Sequence, residues 1–178
     1  MENSALLEEI LRIVDTPQLY SSDVSVNTST LGLLLVRVRH LSENNLPELK
    51  QLEDIKYFRF IRPYLVDREK EVRILALRVL RHFCFSVKTF ELLKSSGIEH
   101  FVVRSFELEG RAQERIEACK LVRNWLTRCP QSFPKSFINA LVAISEVESD
   151  EMKELGLEAI RVLSISATEL VALSGGFK

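Results

Sequence analysis

The sequence lacks a long hydrophobic run and an excess of charge of either sign. Its longest apolar stretch, residues 31–36 with one glycine inside it, is far shorter than the ~20 apolar residues that a membrane-spanning helix needs. Lysine and arginine together number 24, and aspartate and glutamate number 25. A general nucleic-acid binder needs a basic excess to release counterions from phosphates. The composition therefore argues against a membrane span and against a nucleic-acid partner.

Cysteine and histidine are scarce, with three residues of each. The cysteines, Cys84, Cys119 and Cys129, form no C-x-x-C pair, and the histidines are scattered along the chain. A metal site needs clustered ligands, and sparse unpaired cysteines are typical of proteins in a reducing compartment. We therefore predict buried core cysteines, no metal, no cofactor and a cytoplasmic location.

Catalytic signatures are also missing from the sequence. The H-E-x-x-H zinc motif does not occur, and the glycine-containing segments at residues 95–97 and 174–176 lie at predicted helix ends with no strand pattern before them. A phosphate-binding loop needs such a strand in front of it. We therefore predict that the protein is not an enzyme.

Apolar residues recur at helical spacing along most of the chain, which predicts an all-α protein. Residues 1–14 predict an N-terminal helix, and residues 15–30 predict a polar flexible linker because they are rich in serine and threonine. Residues 31–178 predict armadillo-like helical repeats, beginning with a helix at about 31–41 and another near Glu48. Pro63 predicts a kink or a helix boundary.

Three segments of the chain align with one another, namely residues 71–83, 114–126 and 152–163. The alignment places Ala76, Ala118 and Gly156 at one position. The spacing between the copies lies in or next to the ~40–47-residue period of HEAT and armadillo units. In the first two copies, the pattern predicts inward positions that include Ala76, Ile116 and Cys119.

A second repeated element is a short helix closed by a glycine. Residues 90–98 match residues 169–177 when Gly97 is set over Gly176, and glycine is favoured where a helix ends in the left-handed conformation. Each repeat is thus predicted to contain a short helix, a glycine turn, a middle helix (98–107 and 135–145) and a long third helix. We expect an armadillo/HEAT-like solenoid, a right-handed superhelix of three-helix units. Because a repeat buries its apolar face against its neighbours, we also expect the solenoid to be truncated at its C-terminal end.

The long third helices carry the candidate binding surface. Stacked repeats would set aligned side chains in rows roughly 10 Å apart, which suits an extended acidic peptide because arginine binds carboxylates with two parallel hydrogen bonds. The alternative is an ordinary solvated helix face, whose charges pair one turn away. Trp125 likewise has two interpretations, a core residue or a hot-spot anchor. The candidate partner-binding residues are Arg78, Arg81, His82, Lys120, Arg123 and Asn124.

Several of these stretches resemble the N-terminal helical-repeat region of the Rictor/Pianissimo family, in the family's order and spacing. They are residues 69–73 (EKEVR), 76–81 (ALRVLR), 114–115 (ER), 121–123 (LVR), 132–134 (SFP), 141–144 (LVAI) and 169–177 (ELVALSGGF). The resemblance covers about residues 53–178. It implies a non-catalytic scaffold segment of the second target-of-rapamycin complex.

The resemblance further implies particular partners. They are the target-of-rapamycin kinase, the Sin1-type subunit and AGC-family kinases that the complex phosphorylates, with recruitment to the plasma membrane through the complex. The alternative function is an armadillo-type adaptor that binds an extended acidic peptide in its concave groove.

Overall fold

A computed structural model of the chain describes residues 3–16, 20–107, 112–147 and 151–166. These residues form nine α-helices and two short 3-10 helices, and none of them lies in a strand. The prediction of an all-α helical-repeat fold is confirmed. The chain divides into two compact units, Met1–Ile98 and Glu99–Lys178. No helix within the described ranges is both long enough and apolar enough to cross a membrane.

The first unit is built around two long helices that pack against each other. It contains α1 (Asn3–Asp15), α2 (Val24–Glu43), a 3-10 helix (Pro47–Leu52), α3 (Ile55–Leu65), α4 (Lys70–Phe83) and α5 (Val87–Ser95). Helix α2 packs against α1 and α4, and α3 packs against α4 and α5. Fully buried aromatic rings fill the space beside α4, with Phe83 at 5.3 Å from Tyr57 and 6.5 Å from Phe58 between ring centroids.

Helix α2 begins at Val24 and so extends into the residues that the composition predicts as a linker. The Asp23 carboxylate caps the helix by accepting hydrogen bonds from the Ser25 hydroxyl at 2.7 Å and from the Ser25 backbone N–H at 2.8 Å. These two hydrogen bonds, the hydroxyl first, lower the pKa of Asp23. The buried Asn27 side chain bonds both the N–H and the C=O of Ser21, at 2.9 and 2.8 Å. Polar contacts therefore order a segment that has little apolar surface to bury.

Two further predictions about the first unit concern prolines. Helix α3 continues through Pro63 and ends two residues later, at Leu65. The helix boundary therefore lies just after the proline and not at it. The helix predicted near Glu48 is a 3-10 helix that opens with Pro47. Proline fits at Pro47 because the first turn of a helix has no internal partner for its N–H groups, whereas Pro63 lies in the last turn of α3.

The second unit contains α6 (Glu99–Glu107), α7 (Ala112–Arg128), a 3-10 helix (Pro130–Ser132), α8 (Lys135–Val147) and α9 (Glu151–Ser166). Helix α6 packs on α7 and α8, and α9 packs on α7 and α8. Trp125 is fully buried and packs against the rings of Phe133 and Phe137, each at 5.7 Å between centroids. Its indole N–H donates to Ser132 Oγ at 3.1 Å. The interpretation of Trp125 as a core residue is confirmed.

Burial supports the repeat alignment at the position that Ala76, Ala118 and Gly156 share, and it confirms Cys119 as an inward position of α7. Ala76 and Ala118 are fully buried, and Gly156 is buried as well. The prediction that Ile116 points inward is wrong, since 39% of it is exposed. The buried stripe of α7 contains Glu114, Glu117, Ala118, Leu121 and Trp125, which places Ile116 at its edge.

The glycine turn of the first predicted repeat is confirmed by Gly97, whose φ is +71°. The predicted repeat is divided between the units, since α5 belongs to the first and both α6 and α7 belong to the second. The matching element at residues 169–177 lies outside the described residues.

Candidate protein-binding surface

The first three candidate residues lie on α4 in the first unit. Arg78 and Arg81 are partly exposed. His82 is only 9% exposed, and its Nδ1 lies 2.7 Å from Ser42 Oγ on α2. This hydrogen bond links the two long helices of the unit. His82 therefore has a structural contact of its own, and its part in a partner surface stays a prediction.

The other three candidates lie on α7 in the second unit. Lys120 Nζ lies 3.1 Å from the buried Glu117 carboxylate, one turn earlier on the same helix. Asn124 Oδ1 accepts a hydrogen bond of 2.8 Å from Arg128 Nε. Both residues thus have partners along the helix, as the solvated-face alternative expects.

Arg123 differs because its partner comes from another helix. Its Nε lies 3.9 Å from Glu158 Oε2 on α9, and the two side chains are 50% and 62% exposed. This distance is at the outer limit for an ion pair, and exposed pairs of this kind contribute about 0–1 kcal/mol. Arg123 therefore keeps most of its capacity to bind an anion.

An open groove of about 470 Å³ runs beside this pair between α7 and α9. Buried Leu126 and partly buried Pro130 and Val162 supply its apolar surface. Its lining residues are Arg123, Leu126, Thr127, Pro130, Glu158 and Val162. The geometry offers an apolar floor with one arginine and one carboxylate at the rim.

The structure brings together only part of the predicted site. Three candidates share α4 and three share α7, in different units, so a continuous row of stacked side chains stays a prediction. Glu158 aligns with Arg78 and Lys120 and interrupts the basic pattern in sequence. The alignment predicts that Glu158 lies on an exposed helix face. Its position opposite Arg123 cannot be predicted from the alignment, because it depends on how α9 packs against α7.

The cysteines are core residues of the described part of the chain. All three cysteines are buried, as predicted, and burial raises the pKa of the Cys84 thiol well above its usual value. A protonated thiol is a poor nucleophile. In the part of the chain that the structure describes, no group of three or more histidine, cysteine, aspartate or glutamate side chains could hold a metal ion.

Comparison with known proteins gives one family and three relatives. The family model described as "Rapamycin-insensitive companion of mTOR, N-term" matches residues 34–178. Protein pianissimo A of Dictyostelium discoideum is 26% identical over 156 residues, which is 85% of this chain and 14% of that protein. The rapamycin-insensitive companion of mTOR from Mus musculus and that from Homo sapiens are each 29% identical over 120 residues, 65% of this chain and 7% of theirs. The chain thus spans a small part of the length of these relatives.

Proposed function

Because the chain belongs to the family of the rapamycin-insensitive companion of mTOR, we propose that it is a non-catalytic scaffold segment of a subunit of the second target-of-rapamycin complex. The observation that carries this proposal is the family match over residues 34–178. The match includes all of helices α3 to α9, and so it covers the helices of both units that would present an interface.

The proposed partners are the target-of-rapamycin kinase and the Sin1-type subunit. In this role the segment also helps to present AGC-family kinases to the complex. Stacked helices suit such a task because they give broad, rigid faces, and stable interfaces between folded proteins typically bury about 1,200–2,000 Å² in total. The amphipathic helices of each unit leave one polar face outward, and those faces are the proposed docking area.

The test is affinity purification of the tagged chain from cells that contain the complex. We expect the target-of-rapamycin kinase and the Sin1-type subunit to co-purify with the wild-type chain, as measured by quantitative mass spectrometry. The comparison variant is Ala118→Arg, which forces a long cation into a fully buried position of α7 and should cost several kcal/mol. We expect this variant to recover little of either partner.

Gln113→Arg is the matched control, since it adds the same side chain at an exposed position of α7. It should recover the kinase as well as the wild type does. Failure of the wild-type chain to recover the kinase, under conditions in which the intact complex is purified through another subunit, would contradict the proposal.

A further inference from the structure

We propose that the groove between α7 and α9 binds a short segment of a partner protein in which an acidic residue lies next to an apolar one. In the free protein, Glu158 occupies the place on Arg123 that the acidic residue of the partner takes. This site lies wholly within the second unit and does not rest on membership of a kinase complex.

The apolar half of the proposal rests on the floor of the groove. Leu126, Pro130 and Val162 face a volume of about 470 Å³, which lies within the roughly 300–1,000 Å³ range of ligand pockets. Glu158, Val162 and Ile165 are spaced so that they fall on one face of α9. Ile165 is 83% exposed, so it extends the apolar wall beyond the groove. An aliphatic or aromatic side chain would cover this surface.

The acidic half rests on the poor geometry of the Arg123–Glu158 pair. A guanidinium group binds a carboxylate most strongly through two parallel hydrogen bonds of roughly 2.7–2.9 Å. The contact with Glu158 is a single approach of 3.9 Å between half-exposed groups. A carboxylate of a bound segment can approach in the bidentate geometry, and it would replace Glu158 on Arg123.

The charges along α7 favour an acidic segment over a basic one. Lys120, Arg123 and Arg128 lie in the C-terminal half of the helix, and residues 118–128 include no aspartate or glutamate. A basic segment would have to displace Arg123 from Glu158 while facing these cations. Charge complementarity therefore selects the acidic segment as the occupant.

The proposal makes opposite predictions for the two members of one ion pair. Arg123→Gln removes the group that binds the partner, so affinity falls. Glu158→Gln removes the competing carboxylate, so affinity rises. If the ion pair had only a structural role, the two substitutions would change the affinity in the same direction, because loss of either member breaks the same contact.

The test starts with selection of random dodecapeptides displayed on phage against the wild-type chain. We expect the enriched peptides to contain aspartate or glutamate beside leucine, isoleucine, valine, methionine or phenylalanine. Synthetic fluorescent copies of these peptides are then titrated with each variant. We expect Arg123→Gln to weaken binding about tenfold, equivalent to about 1.4 kcal/mol, and Glu158→Gln to strengthen it about threefold.

Arg104→Gln, at an exposed position of α6, is the matched control and should leave affinity unchanged. Thermal unfolding followed by circular dichroism should show all three variants folded, since each change is on the surface. Basic peptides among the enriched sequences, the absence of enrichment, binding that Arg123→Gln leaves intact, or effects of the same sign at both positions would each overturn the proposal. None of these results would bear on co-purification with the kinase.

Discussion

The two units of the molecule differ in the polar contacts that accompany their aromatic clusters. In the first unit, polar contacts join residues far apart in the chain. The Asp67 carboxylate accepts hydrogen bonds from Tyr20 Oη at 3.0 Å and from Asn27 Nδ2 at 3.2 Å. An ion pair between Arg37 and Glu9 links α2 to α1. Loss of the contact between Asn27 and Asp67 leaves a buried polar group where water cannot easily replace the partner.

In the second unit, helix α7 buries the carboxylates of Glu114 and Glu117 as well as apolar residues. Trp125, Phe133 and Phe137 form one buried aromatic cluster, and the Trp125 hydrogen bond to Ser132 spans only seven residues. The long-range ion pair between Arg123 and Glu158 is exposed. Both units therefore have a buried aromatic cluster, and the first also has hydrogen bonds to the buried Asp67 carboxylate from residues far away in the chain.

Spectroscopy can follow the two units separately. The sequence has one tryptophan and three tyrosines, and Trp125 lies in the second unit while Tyr20, Tyr57 and Tyr64 lie in the first. Tryptophan fluorescence therefore reports unfolding of the second unit, and tyrosine absorbance reports the first. Each prediction below uses this separation.

The largest effect is expected for Phe137→Ala in the second unit. The ring is fully buried between Trp125 and Phe133, and truncation of a buried phenylalanine typically costs about 3–5 kcal/mol. Urea unfolding followed by tryptophan fluorescence should show this loss. Lys135→Ala, at an exposed position on the same helix, should change the midpoint little. An equal shift of the tyrosine signal would show that the units unfold together and would end the comparison.

Asp67→Ala should give the next largest effect, in the first unit. Tyr20 Oη, Asn27 Nδ2 and the Glu69 backbone N–H all donate to this buried carboxylate. Loss of the acceptor leaves one N–H of the buried Asn27 amide unpaired, since the other bonds the Ser21 carbonyl. We expect a cost of about 2–4 kcal/mol, measured as a shift of the tyrosine-detected urea midpoint. Glu43→Ala removes an exposed carboxylate paired with Arg39 and should cost well under about 1 kcal/mol. Equal losses of unfolding free energy in the two variants would show that the buried hydrogen bonds stabilise the unit no more than an exposed ion pair does.

Alkaline pH should also weaken the first unit, with a smaller contribution from each single residue. Burial raises the pKa of Tyr57 and of Tyr64 to about 12, against about 10 in an unfolded chain. The contribution is complete below about pH 10 and is lost toward about pH 12, because the unfolded state releases its tyrosine protons first. The expected loss is about 2 kcal/mol for each tyrosine.

Urea unfolding at a series of alkaline pH values measures this loss, and absorbance of tyrosinate gives the ionisation directly. Tyr57→Phe should remove part of the pH dependence. Ionisation of all three tyrosines near about pH 10 in the folded protein would contradict the prediction.

These contrasts also show how far the sequence predicts the fold. The buried face of α4 could be predicted because Val72, Ala76 and Val79 follow helical spacing within a single segment. The order of the segment around Asn27 could not, because its partner Asp67 lies 40 residues further along the chain. On α7 the inward position of Cys119 is confirmed, whereas that of Ile116 is wrong, because the buried stripe continues through Glu114 and Glu117. Glutamate is seldom buried, so an apolar pattern does not predict these two positions.

In the candidate site, too, one feature could be predicted from the sequence and another could not. The sequence placed Arg123 on an exposed helix face, which the structure confirms, since amphipathic spacing is a local property. In the repeat alignment, Glu158 takes the position of the basic residues Arg78 and Lys120 and so interrupts the predicted basic row. The contact between Arg123 and Glu158 arises from the packing of α9 on α7, and a periodic pattern within each helix contains no information about that packing.

The smallest expected effects have opposite signs at two glycines of the first unit. Gly97 has a φ of +71° and closes helix α5, while a Cβ at Gly32, in the middle of α2, would meet no atom within 4 Å. Gly97→Ala should therefore destabilise the unit by about 1 kcal/mol, because the added Cβ disfavours the left-handed conformation. Gly32→Ala should stabilise it by up to about 1 kcal/mol, since alanine has the higher helix propensity. Both are measured as tyrosine-detected urea midpoints. A change of the same sign at the two positions would mean that conformational preference does not control them.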